Sequence, residues 1–244
     1  MTDAIDPFFH HPELRGEIAN PLTSPLRNLT SATLAAKMKE LGLPQNWWRT
    51  DEIREAMRLE TMLPHRDNDL WVFGYGSLMW NPGIRFAEVR LAHIADYARR
   101  FIVKDIYGGR GTMDAPGLMV ALDRGKGCDG LLFRIEQDNI EEETEVLWRR
   151  EMIAPAYKAK FVKVIVKDEI LNALTFVADH DADLIDAKLT RTEQIQFLAT
   201  GAGFMGSSLE YLNNIAEKLS QLGIHDMDVS ELLRETNVYL GLNA

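Results

Sequence analysis

The chain has 244 residues, 46% hydrophobic and 26% charged, enough to bury a substantial core in one domain or one domain with appendages. Its 37 acidic residues against 27 basic ones leave a net charge of -10, which favours solubility and sets a nucleic-acid partner aside. No apolar run reaches the roughly 18 residues of a membrane span, the start MTDAIDPFFHH carries Asp3 and Asp6 where an export signal carries positive charge, and the single cysteine, Cys128, rules out an internal disulfide framework, so a cytoplasmic protein off the membrane is expected.

Residues 1–69 form a preface with Pro7, Pro12, Pro21, Pro25, Pro44 and Pro64, six of the nine prolines, and are expected to be irregular and interrupted. Two helices are predicted within it. One covers 31–43, with Thr30 or Ser31 as its cap and Pro44 beyond its end; the other covers 51–62 and opens on an acidic turn. Both are expected to cover the body or mediate contacts. From 71 onward short strands dominate, predicted at 71–75, 88–94, 99–104, 117–123, 130–135, 161–166 and 173–178. Helices are predicted near 139–152, 190–198, 207–222 and 227–240. There is no βα alternation and no repeat, so a mixed α+β body with a curved or barrel-like sheet is expected, over 70–244, with 1–69 as an N-terminal extension.

The stretch WVFGYGSLMWNPG, residues 71–83, interrupts an apolar strand with Gly74 and Gly76, where glycine costs stability. It is not a dinucleotide fingerprint, because Met79 replaces the third glycine and Pro82-Gly83 breaks the helix that should follow. Nor is Ser77 a hydrolase nucleophile elbow, since Tyr75 and Met79 stand where that motif needs glycines, and no lysine is near to make a phosphate loop. Two readings remain open from the local sequence: a nest of bare amides for an oxygen anion, and a glycine bulge in a barrel strand.

A second concentration is Leu147-Trp148-Arg149-Arg150-Glu151-Met152. Glu145 and Arg149, four apart, read as a solvated pair on a helix face. Glu151 lies amid Trp148 and Met152 just before Ala154-Pro155, where the helix must end; it is either a general acid/base in a partly apolar setting or a salt-bridged surface group. The histidines at 10, 11, 65, 93, 180 and 225 lack ligand spacing, and the aspartate run over 179–186 lacks the glycine and terminal glutamate of a calcium loop, so no metal is expected. Arg110-Gly111-Thr112 and Ala115-Pro116-Gly117 read as a turn-rich loop before a strand, with Arg110 binding a carboxylate or capping carbonyls. Tyr211 reads as core-facing, its hydroxyl in need of one partner.

Taken together, the motifs resemble the ChaC family of glutathione-specific γ-glutamylcyclotransferases: Phe73-Gly74-Tyr75-Gly76-Ser77-Leu78-Met79-Trp80-Asn81-Pro82, then R-G-T and P-G-L-M-V-A-L within 110–122, Trp148-Arg149-Arg150-Glu151-Met152 with Tyr157 following, and Ser208-Leu209-Glu210-Tyr211-Leu212. The match runs over about 70–240 in the family's order. Met113 stands where the family often has proline, and Pro155 where it often has glycine, and both bear on loops around the site. The resemblance implies a γ-glutamylcyclotransferase-like twisted mixed β-barrel flanked by helices. It implies cyclisation of the γ-glutamyl group of glutathione to 5-oxoproline with release of cysteinylglycine, a lyase-type reaction without a cofactor. Glu151 is then the proton-transfer residue, while Tyr75, Gly76, Ser77, Leu78, Arg110, Tyr157 and Tyr211 bind substrate. The alternatives are a cyclotransferase for another γ-glutamyl amide and a noncatalytic binding protein on the same scaffold. Glutathione is the only partner implied, and the sequence carries no signal of oligomeric state.

Overall fold

Residues 6–242 are described by a computed structural model, at whose centre lie seven hydrogen-bonded strands. These are β1 (Leu70–Gly74), β2 (Glu88–Ile94), β3 (Tyr97–Tyr107), β4 (Thr112–Arg124), β5 (Cys128–Ile135), β6 (Tyr157–Val166) and β7 (Glu169–Ala178). Five of them close on themselves in the order β1-β5-β2-β6-β7, because β7 returns to β1 through a parallel pairing of Trp71 with Ala173 and Val72 with Leu174. The unbroken run Leu131-Leu132-Phe133 is fully buried, as a strand must be when it faces the barrel interior on one side and covering elements on the other.

The β3–β4 hairpin leaves this barrel as a flap, attached where Leu122 of β4 runs parallel to Val177 of β7. Both strands are longer than the sequence suggests. Tyr107 pairs with Thr112 and Asp105 with Gly117, so residues 113–116 bulge out of the ladder. Pro116 is tolerated there because a bulge asks it for no N–H, and the expected loop over 110–117 is in fact a tight turn at 108–111 followed by an irregular strand.

Among the described residues six α-helices surround the barrel: α1 (Ser31–Glu40), α2 (Asp51–Met62), α3 (Ile140–Glu151), α4 (Arg191–Thr200), α5 (Ser208–Gln221) and α6 (Met227–Tyr239). Their starts follow from side-chain caps. Thr30, Thr50, Thr190 and Ser207 each accept from a backbone N–H three residues on, and Thr190 is answered by Glu193 in a reciprocal box. The first turn of α3 carries Glu141, Glu142 and Glu143 at the positive end of the helix dipole, and the helix ends at Glu151.

The preface binds this helix from outside. Glu143 is fully buried and accepts from Arg27 at 2.6 and 3.0 Å, from the Arg85 backbone at 2.8 Å and from Arg85 Nε at 2.5 Å. Arg58 reaches Thr144 at 3.0 Å and Glu141 at 2.5 Å. At the other end of α3, Arg54 donates to the Arg149 carbonyl at 2.7 Å, and Arg49 donates to those of Ala154 at 2.7 Å and Met152 at 3.2 Å. The Arg149 carbonyl in the last turn and the Met152 carbonyl at the cap thereby meet cations, which is the charge the negative end of the dipole favours.

Candidate active site

Directly after β1 the chain makes a single 3-10 turn, Ser77–Met79, whose first bond runs from the Met79 amide to the Gly76 carbonyl at 2.9 Å. The amides of Gly76, Ser77 and Leu78 precede that bond, so the turn itself does not use them. Both glycines in the stretch are required by the protein's own packing. A Cβ on Gly74 would stand 2.8 Å from Leu78 Cβ, and one on Gly76 would stand 2.9 Å from Val120 Cγ1 and 3.1 Å from the Tyr211 hydroxyl. Position 76 is thus kept bare by Val120 of β4 and Tyr211 of α5, which approach the turn closely.

Glu151 meets this turn through its neighbour. Arg150, 6% exposed at its side chain, pairs with the Glu151 carboxylate at 2.7 Å, and the same guanidinium donates to Ser77 Oγ at 3.0 Å and to the carbonyls of Asn81 at 2.5 Å and Pro82 at 3.0 Å. Both sequence alternatives for Glu151 are thus partly met: it is salt-bridged, yet it is only 16% exposed and faces a cavity. Arg150 is a site residue that sequence reasoning missed. Its partners Ser77, Asn81 and Pro82 lie 68 to 73 positions away, with no local signal to link them.

Three tyrosines stand around the carboxylate. Tyr75 donates its hydroxyl to the Phe176 carbonyl at 2.8 Å, and its own carbonyl accepts from Arg99 at 2.7 Å. Tyr157 donates to the Val120 carbonyl at 3.0 Å and keeps acceptor capacity on its oxygen. Burial pushes all three phenols, Tyr75, Tyr157 and Tyr211, above the ordinary tyrosine range, and the negative charge of Glu151 adds to the push. They act as neutral hydrogen-bonding groups. Arg110 lies with its guanidinium 4.7 Å from the Tyr211 ring and donates to the Ser207 carbonyl at 3.0 Å, while burial pushes its pKa down. Its direct side-chain partners are a carbonyl and an aromatic face, and the carboxylates of Glu210 and Asp105 attract its charge from nearby.

All eight predicted residues, Tyr75, Gly76, Ser77, Leu78, Arg110, Glu151, Tyr157 and Tyr211, line one cavity of about 570 Å³. A second hollow of about 290 Å³ beside α5 and α6 contains none of them. Met113 is 66% exposed, and neither it nor Pro155 lines the main cavity. Leu26, Leu29, Leu34 and Trp47 of the preface do line it, a contribution that the proline-rich segment gave no reason to expect. The lone thiol is out of play as a nucleophile, since burial pushes Cys128 up to about 11.

A closed barrel with a glycine turn at one strand end and a carboxylate across a cavity defines a fold class that is known. A solved structure described as a γ-glutamyl cyclotransferase specific to glutathione from yeast is similar with a TM-score of 0.64 at 21% identity, covering 71% of this chain and 97% of that one. The family described as ChaC-like protein matches residues 70–239, and the chain belongs to it. Relatives include the glutathione-specific γ-glutamylcyclotransferase of Escherichia coli (strain K12), 32% identical over 80% of this chain and 85% of that protein. Glutathione-specific γ-glutamylcyclotransferase 1 of Homo sapiens is 30% identical over 68% of this chain and 78% of its own length.

Proposed function

We propose that this protein cyclises the γ-glutamyl group of glutathione, releasing 5-oxoproline and cysteinylglycine, with Glu151 moving the proton. The observation that carries the proposal is the convergence of Glu151, the 76–78 turn and the tyrosine hydroxyls on one cavity, with Arg150 bonded to both the carboxylate and the turn.

The substrate supplies its own nucleophile. Its α-amine attacks the γ-carbonyl carbon, a C–N bond forms as the γ-amide C–N bond breaks, and a five-membered ring is left. A site for this reaction needs no serine, thiol or metal of its own; it must hold the chain folded so that amine and carbonyl meet, and that proximity supplies much of the rate. The carboxylate of Glu151 takes the proton from the attacking amine and returns it to the departing amine, so one group serves as base and then as acid. The amides of Gly76, Ser77 and Leu78 stabilise the substrate carboxylate or the oxyanion that develops on the γ-carbonyl. Tyr157 and Tyr211 orient the γ-glutamyl group, Tyr157 as an acceptor for the α-ammonium, and Arg110 offers a positive charge to a carboxylate.

Glu151→Gln keeps the shape and the Arg150 hydrogen bond but cannot shuttle the proton. The expected result is an unchanged unfolding midpoint with 5-oxoproline release from glutathione lowered about 10²- to 10⁴-fold. Turnover at the wild-type rate would remove Glu151 from the mechanism.

A further inference from the structure

The cavity has two ends of different make-up. The γ-glutamyl end is built by the body of the chain, with Tyr75, Tyr157, Tyr211 and Glu151 gathered around the 76–78 turn. Part of the remaining wall comes from the body, with Val103, Met119, Ile153, Leu184 and Phe204 among its residues, and part from outside the matched family region. Pro25, Leu26, Asn28 and Leu29 come from the turn before α1, Thr33, Leu34 and Lys37 from α1, and Trp47 from the link to α2.

Leu34 is 6% exposed and yet belongs to neither apolar cluster of the interior, so what buries it is the cavity wall and its neighbours. Trp47 lies flat on Tyr107, with ring centroids 4.8 Å apart and planes within 5°, so the preface and the β3–β4 turn jointly close this side. Arg49, two residues on, is tied by its backbone N–H to the Ile153 carbonyl at 2.9 Å, which fixes the segment against the end of α3.

Once the γ-glutamyl group occupies the tyrosine end, the geometry of the reaction dictates where the rest goes. The scissile nitrogen points away from the newly forming ring, and the dipeptide attached to it must fill what is left of the cavity. We infer that residues 26–47 form the leaving-group subsite, and that Leu29 and Trp47 are specificity-determining side chains that read the cysteinylglycine half of the substrate. This rests on the function proposed above. The ligand class fits: a small, weakly polar thiol side chain and a flat peptide unit suit the aliphatic and indole surface of Leu29 and Trp47, and Lys37 on the same wall offers a positive charge to the terminal carboxylate.

The test separates recognition of the dipeptide from general damage. KM for glutathione and Ki for γ-glutamylmethylamide, which carries the γ-glutamyl group without the dipeptide and is added as a competitor of glutathione turnover, are measured for wild type, Leu29→Ala, Trp47→Ala and Trp47→Phe. The ratio of KM to Ki is expected to rise about tenfold in Leu29→Ala and in Trp47→Ala, and to return toward wild type in Trp47→Phe, which keeps a flat ring against Tyr107. Loss of packing alone would move both constants together. A ratio within twofold of wild type in both alanine variants overturns the subsite while leaving the cyclotransferase function intact. A wild-type protein that releases no 5-oxoproline from glutathione overturns the function itself, and the subsite with it.

Discussion

At the scale of single residues, Gly76 is closely constrained by two other elements. A Cβ at this position would stand 2.9 Å from Val120 Cγ1 and 3.1 Å from the Tyr211 hydroxyl, closer than a methyl group can sit without something shifting. Gly76→Ala should therefore cost about 1–3 kcal/mol, as overpacking does, and should push α5 and its tyrosine back from the turn. The checks are a lower urea midpoint and a raised KM for glutathione; an alanine variant with both values unchanged would mean that the turn yields freely. The glycine pair was legible in the sequence because an odd residue in an apolar run demands a reason, whereas the residues around Glu151 left two readings open and only the family resemblance gave it a role. Arg150 was not legible, because an arginine beside a glutamate on a helix reads as solvated, and only folding brings Asn81 and Pro82 to its guanidinium.

At the scale of elements, α3 is held at both ends, and the holding has a pH signature. Burial alone would push the Glu143 carboxyl up, but the hydrogen bonds from Arg27 and Arg85 outweigh it and hold the pKa below the ordinary glutamate value of 4.5. A depressed folded-state pKa contributes stability that is present above 4.5 and is lost as pH falls through the depressed value, because the unfolded chain takes up the proton first. Glu143→Gln should therefore unfold at lower temperature near neutrality and show a flatter fall of Tm with acid below pH 4.5 than wild type does. Glu143→Ala should cost about 3 kcal/mol, the lower end for breaking a buried pair, since Arg85 can turn to water. Equal acid slopes in wild type and Glu143→Gln would rule this linkage out. The helix itself was readable from its acidic first turn and the proline after its end, and its predicted limits of 139–152 lie within a residue of those found. The β3–β4 hairpin was read short because Gly111, Pro116 and Gly117 signal a loop, whereas here they serve a turn and a bulge within one long ladder.

At the scale of the whole molecule, the barrel was legible in the number of short apolar strands without βα alternation, but the role of residues 1–69 was not. The two helices of this segment were readable from their apolar spacing, but around Pro7, Pro12, Pro21 and Pro25 the apolar residues fall at irregular intervals, so no period advertises a buried face there. Yet Leu14 and Ile18, 1% and 6% exposed, belong to the same apolar cluster as Phe133 and Leu174 of the barrel. Lys218 of α5, itself 4% exposed, donates to the Glu17 carbonyl at 3.3 Å, and the Ala19 amide donates to the Trp80 carbonyl at 2.8 Å just after the glycine turn. A segment tied this way to the core, to α5 and to the site should unfold with the body. Leu14→Ala is the substitution that asks the question, because the side chain sits in the shared cluster and does not line the cavity. If the preface and the body are one cooperative unit, removing that side chain costs about 2–5 kcal/mol of global stability and lowers the urea midpoint seen by tryptophan fluorescence and by far-ultraviolet circular dichroism together. If the preface is an appendage, the two probes separate, with an early transition for residues 1–69 and an unshifted midpoint for the barrel.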